Sequence, residues 1–415
     1  MGARRSLMKA LVAEFSIKKE MWGHLKSKLP GRGARSGGLS LRMANFTEPA
    51  LVSPQWVRIR TIMSGISDMD EGMILHQDPS VLGAFLSFPF VPGNENMGIV
   101  TEVGADVTDI EPGERVVVDP VLSCERRGIE PVCASCARGD PFSCSGFAAG
   151  TIGPGMMIGA CRDTSGGWGD SFIAHRNQAR VIPDHVESGA AIIAPEFARA
   201  LRAVLQNPPL AQERIIVMGA GSLGLLTFVA LNLFGWGPHV IIVADHAFEA
   251  EAASELGAAD VIISNGRGTT YEEVAALVEG KVRYPEVGRI SLQGGADLVY
   301  ETTGCAGSIE DAVNFTAEGK RLVLLGVNGP GGVDPGPIRF KGVQISSAGF
   351  SGREIFNGRV TSTFDLAMDL LSGNALPWKR LISHKFHITD YAKAFAAIGN
   401  RAQSKALKVV FEHVM

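Results

Sequence analysis

Cysteine is scarce in this chain, with six among 415 residues, and no long apolar run occurs. No stretch approaches the ~20 consecutive apolar residues that a membrane-spanning helix needs. The chain does not open on an apolar h-region followed by a small-residue cleavage site, so a cytoplasmic protein is expected. Net charge is low as well, at −4, which implies no general attraction to nucleic acid or to an anionic membrane. Internal repeats are absent.

What is present is ordinary for a globular protein with real cores: 46% hydrophobic and 20% charged residues. At roughly 100–200 residues per domain, the length predicts two or three domains. The 50 glycines are aperiodic and fall between apolar runs, as turns and close backbone approaches do. Residues 1–45 carry ten Lys/Arg against only Glu14 and Glu20. A basic, acid-poor start is compatible with a transit peptide. The simpler reading makes Lys9–Phe15 a first strand and the basic stretch after it a surface excursion.

Four of the six cysteines, Cys124, Cys133, Cys136 and Cys144, fall within 21 residues. In a cytosolic protein such a cluster points to metal rather than disulfides. Four thiolates fill a closed tetrahedral zinc site, which is structural because it leaves no open position. The lobe around them has few apolar residues, so bound zinc would supply its missing folding energy. The competing reading is a set of unrelated free thiols. Cys305 is read as a packed small residue. His76, His175, His185, His384 and His387 show no mutual ligand spacing and are read as surface or packing residues.

From Arg214 an apolar strand, RIIVM, runs into Gly219-Ala-Gly221-Ser222-Leu223-Gly224 and then an apolar helix. Strand before and helix after are the context that a dinucleotide fingerprint requires. The first glycine allows the turn, the second lets pyrophosphate approach, and the third lets helix and strand pack. Further strands are expected at 239–245, 260–264, 297–302 and 321–327, with helices between, which predicts a doubly wound parallel sheet. Asp245 ends the second strand, where an acid accepts hydrogen bonds from ribose hydroxyls and repels a 2′-phosphate. That favours NAD slightly over NADP. His246 beside it leaves NADP open, and Asp245 has a second reading as a cap of the next helix. Thr303, Gly326 and Val327, near the ends of later strands, complete the expected cofactor contacts.

In this order the motifs resemble the medium-chain dehydrogenase/reductase superfamily, in particular its zinc-type, threonine-dehydrogenase-like members. The resemblance runs from about Met8 and is carried by Val91-Pro-Gly-Asn-Glu95, Gly98–Gly104 (GIVTEVG), Pro112–Val116 (PGERV), the cysteine lobe, Gly166–Gly169 (GGWG) and the fingerprint. It implies an α/β protein that joins a GroES-like β-barrel catalytic domain to a Rossmann domain, with substrate in the cleft between them. The expected boundaries are 1–190 for the catalytic domain with its zinc lobe at about 120–146, 191–345 for the Rossmann domain, and 346–415 for a C-terminal return. It also implies a homodimer or homotetramer, with Val343–Phe350 a candidate edge strand.

The catalytic positions depart from the family. Where members usually carry Gly-Ile-Cys-Gly-(Ser/Thr)-Asp, this chain has Gly65-Ile66-Ser67-Asp68-Met69-Asp70. The ligand cysteine is thus Ser67 and the relay hydroxyl is Met69. The usual Gly-His-Glu is Gly93-Asn94-Glu95, and the usual Glu-Pro corresponds to Ala194-Pro195. Serine and asparagine are poor replacements for thiolate and imidazole, so loss of the catalytic zinc is expected. The first expectation is therefore an NAD(P)H-dependent reductase of an already electrophilic small molecule, such as a conjugated alkene, quinone-like ring or iminium ion. Ser67 and Asn94 would hold the substrate oxygen, and Asp68 or Glu95 would supply the proton. Alternatives are alcohol/ketone interconversion, without metal or at a rebuilt site using Asp68, Glu95 or Glu196, and a cofactor-binding protein without catalysis. Each residue also has a structural reading: Ser67 and Asn94 as fillers, Glu95 as an internal ion-pair partner, Asp68 as a solvated loop acid.

Overall fold

The computed structural model describes residues 6–16, 18, 39–74, 83–236, 240–327, 333–373 and 378–413. The basic stretch 19–38 and His76 lie outside them. The chain divides into two compact units, one of Met1–Pro195, Phe350–Gly399 and Val409–Met415, the other of Glu196–Gly349 and Asn400–Lys408.

The first unit is built on strand Trp56–Gly65, which pairs antiparallel with Asn96–Val103, with Ser171–His175 and with Lys408–Glu412. Arg115–Val118, Ala179–Val181 and Ile382–His387 complete a seven-stranded sheet. Trp56, Val57, Ile59, Val100, Val116, Val118, Phe172 and Ile173 fill its core. Gly98 is needed where Trp56–Gly65 and Asn96–Val103 slip register: a Cβ there would stand 2.1 Å from the Arg60 carbonyl oxygen. The expected first strand spans Leu7–Phe15 and pairs with Leu39–Thr47. A short two-stranded ribbon, Arg353–Phe356 with Arg359–Ser362, lies in the returning segment.

The second unit holds a six-stranded sheet in the spatial order Asp260–Ile263, Val240–Ala244, Ile215–Met218, Ala296–Glu301, Thr316–Leu324, Gln344–Ser347. Every adjacent pair is parallel. In chain order this reads 3-2-1-4-5-6, the doubly wound Rossmann arrangement, with its switch point between Ile215–Met218 and Ala296–Glu301. Ile215–Met218 and Val240–Ala244 are buried at every position, as strands covered on both faces must be. The strand expected at 321–327 instead occupies Thr316–Leu324, so Gly326 and Val327 fall just past its end. Likewise Val240–Ala244 stops one residue short of Asp245. A small hairpin, Lys281–Arg283 with Ser291–Gln293, precedes the fourth strand. Gln344–Ser347 is an edge strand with all four residues exposed. Among the described residues no helix is long and apolar enough to cross a membrane.

Candidate functional site

The glycines of the fingerprint divide their labour as the motif requires. Gly219 has φ +93°, a left-handed value that a side chain would strain. Gly221 is extended and precedes helix Ser222–Leu233, and a Cβ on it would meet nothing within 4 Å. That open space beside a helix N-terminus is the cradle a pyrophosphate needs. A Cβ on Gly224 would lie 2.0 Å from the Gly219 carbonyl oxygen, so helix and strand meet backbone to backbone. Leu223 anchors the helix start from the buried side.

Thr303 and Gly326 converge on the same switch point. A Cβ on Gly219 would touch Thr303 Cγ2 at 2.6 Å, and one on Gly326 would stand 2.0 Å from the Gly304 nitrogen. Buried Glu301 shapes this corner, accepting hydrogen bonds from Thr303 N and Oγ1 at 2.9 and 2.6 Å and from Ser308 Oγ at 2.8 Å. Val327 follows in the same loop.

Asp245 is exposed just past strand Val240–Ala244. The helix Ala247–Glu255 is capped at His246, not at Asp245. Buried Glu249 accepts from the backbone N–H of both Asp245 and His246, at 3.1 Å each. Burial, and then the neighbouring Asp245 charge, push its carboxyl above the usual range. The His246 ring stacks on Phe248 with centroids 5.6 Å apart.

Ser222 shows a partner that motif reading missed. Its hydroxyl donates to Glu196 Oε1 at 2.7 Å, and Lys408 Nζ pairs with Glu196 Oε2 at 2.9 Å. Glu196, weighed as an oxygen ligand of a rebuilt metal site, is thus engaged beside the dinucleotide helix. Sequence spacing could not join residues 196, 222 and 408.

In the first unit the ligand atoms of Cys124, Cys133, Cys136 and Cys144 all lie within 4.8 Å of one another. Sγ of Cys144 is 3.5 Å from that of Cys124 and 4.0 Å from that of Cys133. Tetrahedral Zn²⁺ with Zn–S of about 2.3 Å calls for sulfurs about 3.8 Å apart, so the residues fit the ion. Gly146 N–H points at Cys144 Sγ from 3.2 Å. Backbone N–H groups of Cys136 and Ser145 draw the Cys133 thiol down to about 5, whereas burial pushes Cys136 up and Cys144 up to about 11, so bound metal would have to draw those two to the thiolate form. Arg127, fully buried, pins the lobe by donating to the carbonyls of Ala149, Ile152, Gly153 and Gly155 at 2.6, 2.9, 2.6 and 3.0 Å. Nothing in the sequence distinguishes it from Arg126 beside it.

The residues expected at the family's catalytic positions form a second polar cluster in this unit. Ser67, Asp70, Asn94 and Glu95 are all buried, whereas Asp68 is half-buried and accepts from the N–H of Met69 at 2.9 Å. Asp70, absent from the sequence-based site, is the hub. Its Oδ2 accepts from Ser67 N at 3.1 Å, Ser67 Oγ at 2.8 Å and Asn94 Nδ2 at 3.4 Å, and its Oδ1 accepts from Gly93 N at 3.4 Å. The Ser67 hydroxyl in turn accepts from Asp70 N at 3.1 Å and Asn94 Nδ2 at 2.7 Å. One donor and two acceptor sites are all a hydroxyl has, so Ser67 is saturated. Among the described residues Asn94 Oδ1 has no hydrogen-bond partner. The Glu95 carboxylate lies over Gly65, where a Cβ would come within 1.9 Å of Oε2. The signal for Asp70 was in the sequence: Ser-x-x-Asp at the start of a helix is a capping box.

Comparison with known proteins agrees with both units. Residues 53–184 match the alcohol dehydrogenase GroES-like domain family and residues 222–372 the zinc-binding dehydrogenase family. L-idonate 5-dehydrogenase of Vitis vinifera is 25% identical over 90% of this chain and 92% of its own. L-threonine 3-dehydrogenase of Aeromonas hydrophila is 24% identical over 77% and 82% respectively. RspB of E. coli CFT073, solved with NADH, superposes with a TM-score of 0.70 at 22% identity and covers 98% of this chain and 99% of its own. With the Rossmann cradle, the four-thiol zinc site and both family matches together, the chain belongs to the zinc-containing medium-chain dehydrogenase/reductase family and is an NAD(P)-dependent oxidoreductase.

Proposed function

We propose that this protein interconverts a secondary alcohol, of the polyol or hydroxy-acid kind, and its ketone, without a catalytic zinc. One observation carries the reading: the buried amide oxygen of Asn94, expected at a family ligand position, has no hydrogen-bond partner among the described residues. An orphaned acceptor calls for a donor, and a substrate hydroxyl is a donor where an enone carbonyl is not. Reduction of an activated alkene, expected at first, needs Ser67 and Asn94 to donate to the substrate oxygen. The Ser67 hydrogen is already given to Asp70, and the Asn94 amide hydrogens point at Ser67 and Asp70. The activity of the relatives, L-idonate and L-threonine dehydrogenases, favours the same reading.

The donor set does not fit a catalytic zinc. Both Ser67 acceptor sites face N–H groups, and Asn94 turns its NH₂ into the cluster. Neither residue offers the thiolate or imidazole that such a site takes. In oxidation the alcohol loses a hydride from carbon and a proton from oxygen. NAD(P)⁺ supplies the hydride acceptor when bound. Asn94 Oδ1 orients the hydroxyl, and the adjacent Glu95 carboxylate takes its proton. Asp68 stands apart from this work, its carboxylate turned to its own helix start. Pairing of two copies through the exposed edge Gln344–Ser347 belongs to the same reading.

The test joins metal content to a substrate panel. One zinc per chain is expected, with NAD(P)⁺-dependent oxidation of polyols or hydroxy acids that Asn94→Leu abolishes. A second zinc, or turnover of enones with none of alcohols, overturns the proposal.

A further inference from the structure

Glu249 is buried, carries a carboxylate, and has no part in the chemistry above. Its Oε2 accepts from two backbone N–H groups at the start of a helix. Strand Val240–Ala244 ends at the corner where the adenosine ribose of a Rossmann ligand is read. Two backbone N–H groups, of Asp245 and His246, project there at the start of helix Ala247–Glu255. Such paired N–H groups at a helix N-terminus are what a phosphate seeks. Here both are held by Glu249 Oε2 at 3.1 Å.

Charge completes the argument. The segment 245–256 (DHAFEAEAASEL) has four carboxylates and no lysine or arginine. A 2′-phosphate, which needs cationic or N–H donors, would meet the exposed Asp245 carboxylate and occupied donors. We propose that Glu249 is a cofactor-specificity residue that excludes the 2′-phosphate of NADP(H) and so sets the enzyme for NAD(H). The inference rests on dinucleotide binding at the fingerprint and sharpens it. A purely structural cap would support both cofactors alike; a phosphate mimic discriminates between them.

Fluorescence titration of the full chain with NADH and NADPH tests it, using Glu249→Gln and Glu249→Ala. Glu249→Gln keeps the shape, removes the charge and adds an N–H donor. The wild type should bind NADH more tightly, and Glu249→Gln should narrow the NADPH/NADH ratio of Kd by about tenfold through a gain in NADPH affinity. Glu249→Ala should narrow it by freeing the two N–H groups. If Glu249→Ala fails to fold, the isosteric variant still decides. Parallel loss of both affinities at constant ratio makes Glu249 a cap only and overturns the proposal. A wild type that binds both equally overturns it too. A wild type that binds neither overturns the dinucleotide reading beneath it, and that failure is distinguishable because it appears before any substitution.

Discussion

Ser67 and Asp70 hold each other reciprocally: the Ser67 N–H and hydroxyl both donate to Asp70 Oδ2, while the Asp70 N–H donates to Ser67 Oγ. Ser67, expected to stand where the family carries a zinc-binding thiolate, caps helix Asp68–Ile74 through these bonds. Asp70→Ala leaves the donors of Ser67, Gly93 and Asn94 facing a void. At about 1–3 kcal/mol per unsatisfied buried group, with relaxation recovering part, a loss of roughly 2–4 kcal/mol is expected in urea unfolding. A variant as stable as wild type would show that the cluster does not hold this part of the fold.

Gly221 and Gly224 should separate binding from stability. Gly221→Ala adds a methyl to open space, so Tm should hold while NADH affinity falls at least about tenfold from obstruction of the cradle. Gly224→Ala drives a methyl into the Gly219 carbonyl and should lower Tm. Thermal melts with and without NADH read both effects. Equal losses of Tm would remove the distinction.

Removal of the structural zinc should loosen the cysteine lobe first. With few apolar residues, the lobe depends on its ion and on the Arg127 pin. Chelation, or Cys136→Ser, is expected to open residues 124–155 to limited proteolysis and to lower Tm. Unchanged cleavage after complete loss of zinc, followed by metal analysis, would contradict this.

Acid should destabilise the protein through buried His175 and half-buried His413. Burial lowers His175 and His413 to about 4, against an ordinary value near 6.5. Both are neutral in either state above 6.5, so their full stability is present there. As pH falls from 6.5 towards 4, the unfolded chain takes up protons that the folded chain refuses, and stability declines. Denaturant midpoints across that window should fall, less steeply in His175→Gln. His175 is held by Gln55 Oε1 at 3.2 Å and by the N–H of Asn177 at 3.2 Å, so glutamine keeps a polar partner there.

Much of the molecule is legible in its sequence. Apolar runs broken by glycines announced the parallel sheet, because a strand covered on both faces must be apolar throughout. Gly219, Gly221 and Gly224 are legible because a turn, a ligand approach and a close packing each exclude a side chain locally. The cysteine spacing is legible because the four ligands are close in the chain. The strands end one residue before the expected Asp245 and three before the expected Val327, since an apolar run does not mark where hydrogen bonding stops.

What the sequence alone determined was therefore what short stretches of chain enforce by themselves: the fingerprint, the four-thiol site, and the presence of a serine and an asparagine at residues 67 and 94. Only the tertiary structure decided which way the polar atoms there face. It saturated Ser67 through Asp70, left Asn94 Oδ1 as an orphaned acceptor, and joined Lys408 to Glu196 and Ser222 across more than 180 residues. Hydrogen-bond direction depends on which groups the fold brings within about 3 Å, and residues far apart in the chain carry no local mark of their meeting.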